Sequence, residues 1–178
     1  MMTEDELVGM LIFHRIPFVH WGKGSAKRVE DLLAEANAGE IKLDVSDGKL
    51  KRTVRSIGAI LYHQDGDRQL VLHEEKQVFD DGRSRRRTLE TSLGEKILPN
   101  ESVYDALARA LKEELGFVDE LKVEPGATIL KTEESKSYPG LLTAYEILTS
   151  RVEIPDHLFK PEGYVVRDGD KTVYFVWR

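Results

Sequence analysis

One stretch of the chain shows a helical hydrophobic period more plainly than any other. From Asn100 to Gly116, a step of about 100° per residue places Val103, Ala106, Leu107, Ala110, Leu111 and Leu115 on one apolar arc. Asn100 suits an N-cap with Pro99 just outside it, and Gly116 suits the C-terminal stop. A second helix is predicted over residues 26–38, with Val29, Leu32, Leu33 and Ala36 on one side and Gly39 at its end. From Asp5 to His14 the pattern fits a short helix or a short strand equally. Runs of alternating or β-branched residues predict strands over 42–45, 53–62, 69–74, 85–92, 121–131, 141–149 and 172–177, the fifth of them broken at Pro125-Gly126. Asp47-Gly48 and Asp80-Asp81-Gly82 read as turns between them. After Thr149 the only helical hint is a turn at Pro155–Phe159. Strands before and after a central helix predict an α/β (α+β) fold, a mixed β-sheet with helices on its faces. Residues 1–50 read as an N-terminal extension, a helix and a short strand packed on a core domain of residues 51–178.

Two positions break the helical pattern. Glu114 falls inside the apolar arc and Glu113 at its edge. Both stand in the last turn, where the helix dipole disfavours an anion by roughly 0.3–1 kcal/mol. An adjacent acid pair turned toward a core calls for a positive partner, and a divalent cation is the obvious candidate. Most Glu-Glu pairs in helices simply face water, so the surroundings must decide between the two readings.

Those surroundings run Gly94-Glu95-Lys96-Ile97-Leu98-Pro99-Asn100-Glu101, then seven residues, then Arg109-Ala110-Leu111-Lys112-Glu113-Glu114-Leu115-Gly116-Phe117. This resembles the signature of the Nudix hydrolases, a glycine loop followed by a helix. Glu101, Arg109, Leu111, Glu113, Glu114, Gly116 and Phe117 are in register with that pattern. The resemblance covers about an eighth of the chain and departs from the family twice. The loop holds six residues rather than five between Gly94 and Glu101, and Ala110 stands where the family has the first glutamate of its Arg-Glu-x-x-Glu-Glu core. The resemblance implies an α/β/α sandwich and makes residues 51–178 a Nudix-like domain. It implies Mg²⁺ or Mn²⁺ as cofactor, with Glu113 and Glu114 as metal ligands and Glu101 and Arg109 supporting the acidic cluster. The implied activity is hydrolysis of a diphosphate linked to another moiety, such as a nucleoside diphosphate derivative. Ala110 also admits the alternative, an impaired scaffold that senses a nucleotide or binds a protein. Glu95, Glu133 and Glu134 are candidates to replace the missing base.

The chemistry that would use such residues is phosphoryl transfer. Charge spread over phosphoryl oxygens must be neutralised, and a water must be made nucleophilic. Mg²⁺ commonly takes one or two protein carboxylates and completes its shell with phosphates and waters, so two glutamates can suffice. Arg83, Arg85, Arg86 and Arg87 lie upstream; in a strand Arg85 and Arg87 share one face, where guanidinium groups could hold the distal end of a phosphorylated substrate. They equally suit an exposed edge strand. Gly22-Lys23-Gly24-Ser25 lacks the spacing of a phosphate loop and reads as a turn before a helix. His63, His73 and His157 are isolated, and Trp21, Tyr138, Tyr164 and Trp177 read more readily as core than as stacking surfaces.

Composition narrows the classes. The 178 residues allow one domain with a sizeable core. A net charge of −6 argues against a sequence-independent nucleic-acid binder, though it leaves room for a local basic patch; no sequence-specific nucleic-acid partner is expected either. Cysteine is absent, so there is no disulfide, thiolate ligand or thiol nucleophile. The acidic start and the lack of a long apolar run lead us to expect a cytoplasmic protein with no membrane partner. The resemblance implies a phosphorylated small-molecule substrate as its partner. If the chain self-associates, a two-fold homodimer is the expected form.

Overall fold

The computed structural model describes residues 1–86 and 89–178. The fold is α+β, with a mixed sheet and three α-helices among the described residues. Chain contacts gather into two compact units. The first holds Met1–Ser56, Lys96–Glu101 and Ile129–Ile147; the second holds Ile57–Glu95, Ser102–Thr128 and Leu148–Arg178.

In the first unit, α1 (Glu4–Phe13) settles the segment the sequence leaves undecided. Thr3 and Glu6 form a reciprocal capping box at its start, and Leu7 and Leu11, one turn apart, are fully buried. A short 3-10 turn over Phe18–His20 leads to α2 (Val29–Asn37). β1 (Lys42–Ser46) and β2 (Lys49–Asp65) form an antiparallel hairpin in which Ser46 pairs with Lys49. The two residues between them, Asp47 and Gly48, have φ of 54° and 71°, the left-handed pair such a tight turn needs. Leu7, Leu11, Trp21, Leu32, Leu50, Val54, Tyr138 and Leu141 close into one apolar cluster.

A charged group lies buried in that unit. Glu35, on the same side of α2 as Leu32, accepts from Lys27 Nζ at 2.6 Å, from Arg52 Nη2 at 2.6 Å and from the Tyr138 hydroxyl at 3.1 Å. Lys96 Nζ stands 3.4 Å away and also meets Glu40 at 2.7 Å. Burial alone would raise the Glu35 pKa; the hydrogen bonds from Lys27 and Arg52 and the nearby cationic charge outweigh it and bring it from 4.5 to about 2. Burial, reinforced by the Glu35 charge, pushes the Tyr138 hydroxyl up.

The strand order of the sheet is β6-β7-β2-β3-β9-β8. Its strands besides β2 are β3 (Arg68–Phe79), β6 (Val123–Glu134), β7 (Leu142–Glu153), β8 (Tyr164–Asp168) and β9 (Lys171–Trp177). β3 pairs antiparallel with both β2 and β9, and β8 with β9. β4 (Ser84–Arg85) joins β3, and β5 (Leu93–Lys96) joins β2. Arg55 bonds Glu146 and His63 bonds Ile154, both across 91 residues, so β7 runs in the same direction as β2 and the sheet is mixed. His63 is buried; its Nδ1–H donates to the Ile154 carbonyl at 2.8 Å, and its ring stacks on Phe159.

Two expectations are corrected here, and one strand is new. Among the described residues of 84–92 only Ser84 and Arg85 lie in a strand, paired with Val78 and Gln77, and Arg87 lies outside the described residues. The run Arg83–Arg86 is exposed throughout and offers no apolar face to bury. β6 passes unbroken through Pro125-Gly126. It ends the strand order, where a missing N–H need not find a partner, and Gly126 leaves room for Thr149, whose hydroxyl donates to the Ala127 carbonyl at 2.6 Å. β8 is a strand the hydrophobic pattern does not predict.

The central helix is shorter than its pattern suggests. α3 spans Val103–Leu115 and its N-cap is Ser102, not Asn100. Ser102 Oγ accepts from the Asp105 N–H at 3.1 Å while the Asp105 carboxylate accepts from the Ser102 N–H at 3.2 Å. Asn100 has a φ of 64° and belongs to the preceding turn. Gly116, at φ 74°, closes the helix in the left-handed conformation, as expected.

Candidate functional site

α3 presents its inner face through Ala106, Leu107, Ala110 and Leu111, all buried. The acid pair sits differently from the pattern's expectation. The Glu113 side chain is 58% exposed, and Glu114 is only partly buried. The last turn therefore rotates the pair to the flank of the helix, and neither carboxylate is locked in a core.

On that flank is a small recess of about 110 Å³ lined by Glu95, Glu113, Glu114, Asp168, Val166, Val173 and Phe175. β5 supplies Glu95, α3 supplies the two glutamates, and the β8–β9 hairpin supplies Asp168 with an apolar back wall. Arg109 bridges the cluster: its Nη1 is 3.5 Å from Glu113 and 3.8 Å from Glu95. The Glu113 contact is the i,i+4 pair the spacing predicts. Asp168 is held by Lys171 at 2.7 Å. Sequence reasoning missed Asp168 because it missed its strand; the Asp168-Gly169-Asp170 turn, with Gly169 at φ 57°, was the available signal.

The other candidate residues have local employment. Glu101, in the first unit, accepts from the Leu98 N–H at 2.9 Å within its own turn. Gly94 lies within β5 rather than in an open loop. Arg85 is exposed on β4 and does not line the recess. Glu133 pairs with Lys131, and Glu134 accepts from the Gly140 N–H at 2.9 Å. Trp21 and Tyr138 belong to the apolar cluster, and Tyr164 is buried.

The donors suit a hard cation in kind more than in number. Carboxylate oxygens are what Mg²⁺ and Mn²⁺ take. Yet among the described residues no group of three His, Cys, Asp or Glu side chains is close enough to hold an ion by itself. What fits is a site in which one or two carboxylates bind and phosphate oxygens complete the shell. Ala110 has no exposed surface, so the residue missing from the family pattern is replaced by a packed methyl group and not by a vacancy. Among the described residues no helix is long and apolar enough to cross a membrane.

No family model matches the chain, and no curated protein matches it significantly. Among solved structures it is similar to DR0079 from Deinococcus radiodurans, at 18% identity and a TM-score of 0.44 over 70% of this chain and 65% of that one. It is similar to the NUDIX domain of Shewanella oneidensis NrtR, solved with ADP ribose, at 14% identity and 0.43 over 81% and 80%. It is also similar to a MutT/nudix family protein from Enterococcus faecalis, at 14% identity and 0.46 over 99% and 56%. The chain thus spans less than two-thirds of the Deinococcus and Enterococcus proteins. Likenesses this distant carry no weight for activity, which rests on the residues of the recess.

Proposed function

We infer that the protein is a Nudix-like hydrolase cleaving a diphosphate linked to another moiety. The observation that carries this reading is the recess: Glu95, Glu113 and Glu114 converge from a strand and a helix, with Arg109 reaching two of them. Glu113 and Glu114 would hold Mg²⁺ or Mn²⁺, which when bound neutralises phosphoryl charge and acidifies a water. Arg109, 3.5 Å from Glu113 and 3.8 Å from Glu95, would orient the two carboxylates relative to each other. Glu95, which lines the same recess from a strand, would take the proton from water. In the reaction the water oxygen joins one phosphorus, the bridging P–O bond breaks, the bridging oxygen leaves with the other phosphate, and the water's proton passes to the base.

The test is phosphate release from a panel of diphosphate-linked compounds with Mg²⁺ or Mn²⁺, comparing the wild type with Glu114→Gln. We expect turnover to vanish in the variant with little loss of thermal stability, because Glu114 is only partly buried. Unfolding of Glu114→Gln would make Glu114 structural and the metal role wrong. A second reading, a nucleotide-sensing or protein-binding module without catalysis, is favoured by the buried Ala110. Stabilisation by nucleotide with no turnover on any compound would support it.

A further inference from the structure

The same unit contains a much larger cleft, between α3 and the segment Phe117–Val123, of about 960 Å³. That size is in the range of small-molecule sites, roughly 300–1,000 Å³. Leu107, Leu111, Phe117 and Leu121 give it apolar walls, and Tyr104 and Val118 stand exposed on its lining. The cleft adjoins the recess through shared residues: Glu113 lines both, and Arg109, which lines the cleft, stands 3.8 Å from Glu95 of the recess. Its charges are unbalanced. Asp105, Glu113, Asp119 and Glu120 line it together with Arg109 and Lys112, and Asp119 also meets His157 at 3.4 Å. An acid-rich rim disfavours a second anionic group and tolerates a neutral one.

We propose that this cleft holds an uncharged, largely apolar group attached to the diphosphate, so that the substrate is a diphosphate monoester of an apolar alcohol. This rests on the hydrolase reading above. The diphosphate lies at the Glu113 end, and the organic group extends along α3 toward Leu121. A compound charged at both ends meets repulsion at the far rim.

The experiment uses the full chain with Mn²⁺ and a series of methyl, butyl and octyl diphosphates, with 7-carboxyheptyl diphosphate as the comparison charged at both ends. kcat/KM should rise with chain length by up to about fourfold per methylene buried, through KM more than kcat, and 7-carboxyheptyl diphosphate should be a poorer substrate than octyl diphosphate. Val118→Asp, at a position exposed enough to leave folding intact, should flatten the rise with chain length. A slope unchanged by Val118→Asp, or a preference for 7-carboxyheptyl over octyl diphosphate, overturns the proposal while leaving the hydrolase reading standing. If no compound is turned over, thermal stabilisation separates the two: octyl diphosphate stabilising the wild type, but not Val118→Asp, upholds the cleft and sinks the hydrolase. Equal stabilisation of both proteins, or of neither, sinks the cleft.

Discussion

Replacing Glu35 by glutamine should remove the electrostatic centre of the first unit, and the loss should depend on pH in a calculable way. The carboxylate is 6% exposed and receives two cations at 2.6 Å. Its pKa falls from 4.5 to about 2 on folding. At about 1.4 kcal/mol for each tenfold change in proton affinity, that is about 3 kcal/mol of stability at neutral pH. The sign follows from the depressed pKa: the contribution is complete above pH 4.5 and is lost as pH falls through about 2. Roughly 2 kcal/mol of it should be gone by pH 3. The Glu35→Gln substitution would also leave Arg52 and Lys27 facing a neutral amide, which for buried pairs raises the cost toward roughly 3–5 kcal/mol.

The chain offers its own reporter for this experiment. It has two tryptophans, Trp21 in the first unit and Trp177 in the second. Trp21 is buried against Tyr138, with ring centroids 5.1 Å apart, and Tyr138 donates to Glu35. In a Trp177→Phe background, urea unfolding followed by fluorescence therefore reads the unit that contains Glu35. The stability gap between this background and the same protein carrying Glu35→Gln should be at least about 3 kcal/mol at pH 7 and smaller by about 2 kcal/mol at pH 3. A gap of equal size at both values would show that Glu35 is not held ionised by its partners, and the reasoning would fail.

Two further outcomes test α3. Ser102→Ala should cost about 1 kcal/mol by thermal unfolding, because it removes the acceptor of the Asp105 N–H, whereas Asn100→Gly, at a positive φ, should be neutral or slightly stabilising; the opposite order would return the cap to Asn100. Ala110→Glu should destabilise the fold by about 3 kcal/mol or more in chemical denaturation, since the site is fully buried; a stable, more active variant would instead show that the helix can turn this position into the recess.

The parts of the fold visible in the sequence are those fixed by neighbours along the chain. Asp47-Gly48 and Gly116 act through their own backbone angles, so their identities predicted a hairpin turn and a helix end. The capping box of α1 was equally local; Thr3-x-x-Glu6 stood in plain view where the apolar pattern alone could not separate helix from strand. The N-cap of α3 was harder because Asn100 and Ser102 are both cap residues. Tertiary packing chose between them: Pro99 lies against Gly39, in the first unit, at a spacing no Cβ would tolerate well, and Asn100 is drawn into that turn.

The candidate site was legible in half. Glu113, Glu114 and Arg109 share a helix, so their spacing showed that they could meet. Glu95 could be named only as one of several acids near the site, and Asp168 not at all, because strand pairing brings them to the recess across large sequence separations. Glu35 makes the same point for stability. Its position beside Leu32 on α2 gave no sign of burial, since Arg52, Lys96 and Tyr138, three of the partners that make burial tolerable, come from β2, β5 and the turn before β7. A buried charge is decided by distant partners, and periodicity along one helix cannot see them. The same reasoning changes the meaning of Ala110. Along the helix it reads as a lost carboxylate, but in the packed unit it is a small side chain with no room for one, so any catalysis here must be built from the carboxylates of the flank.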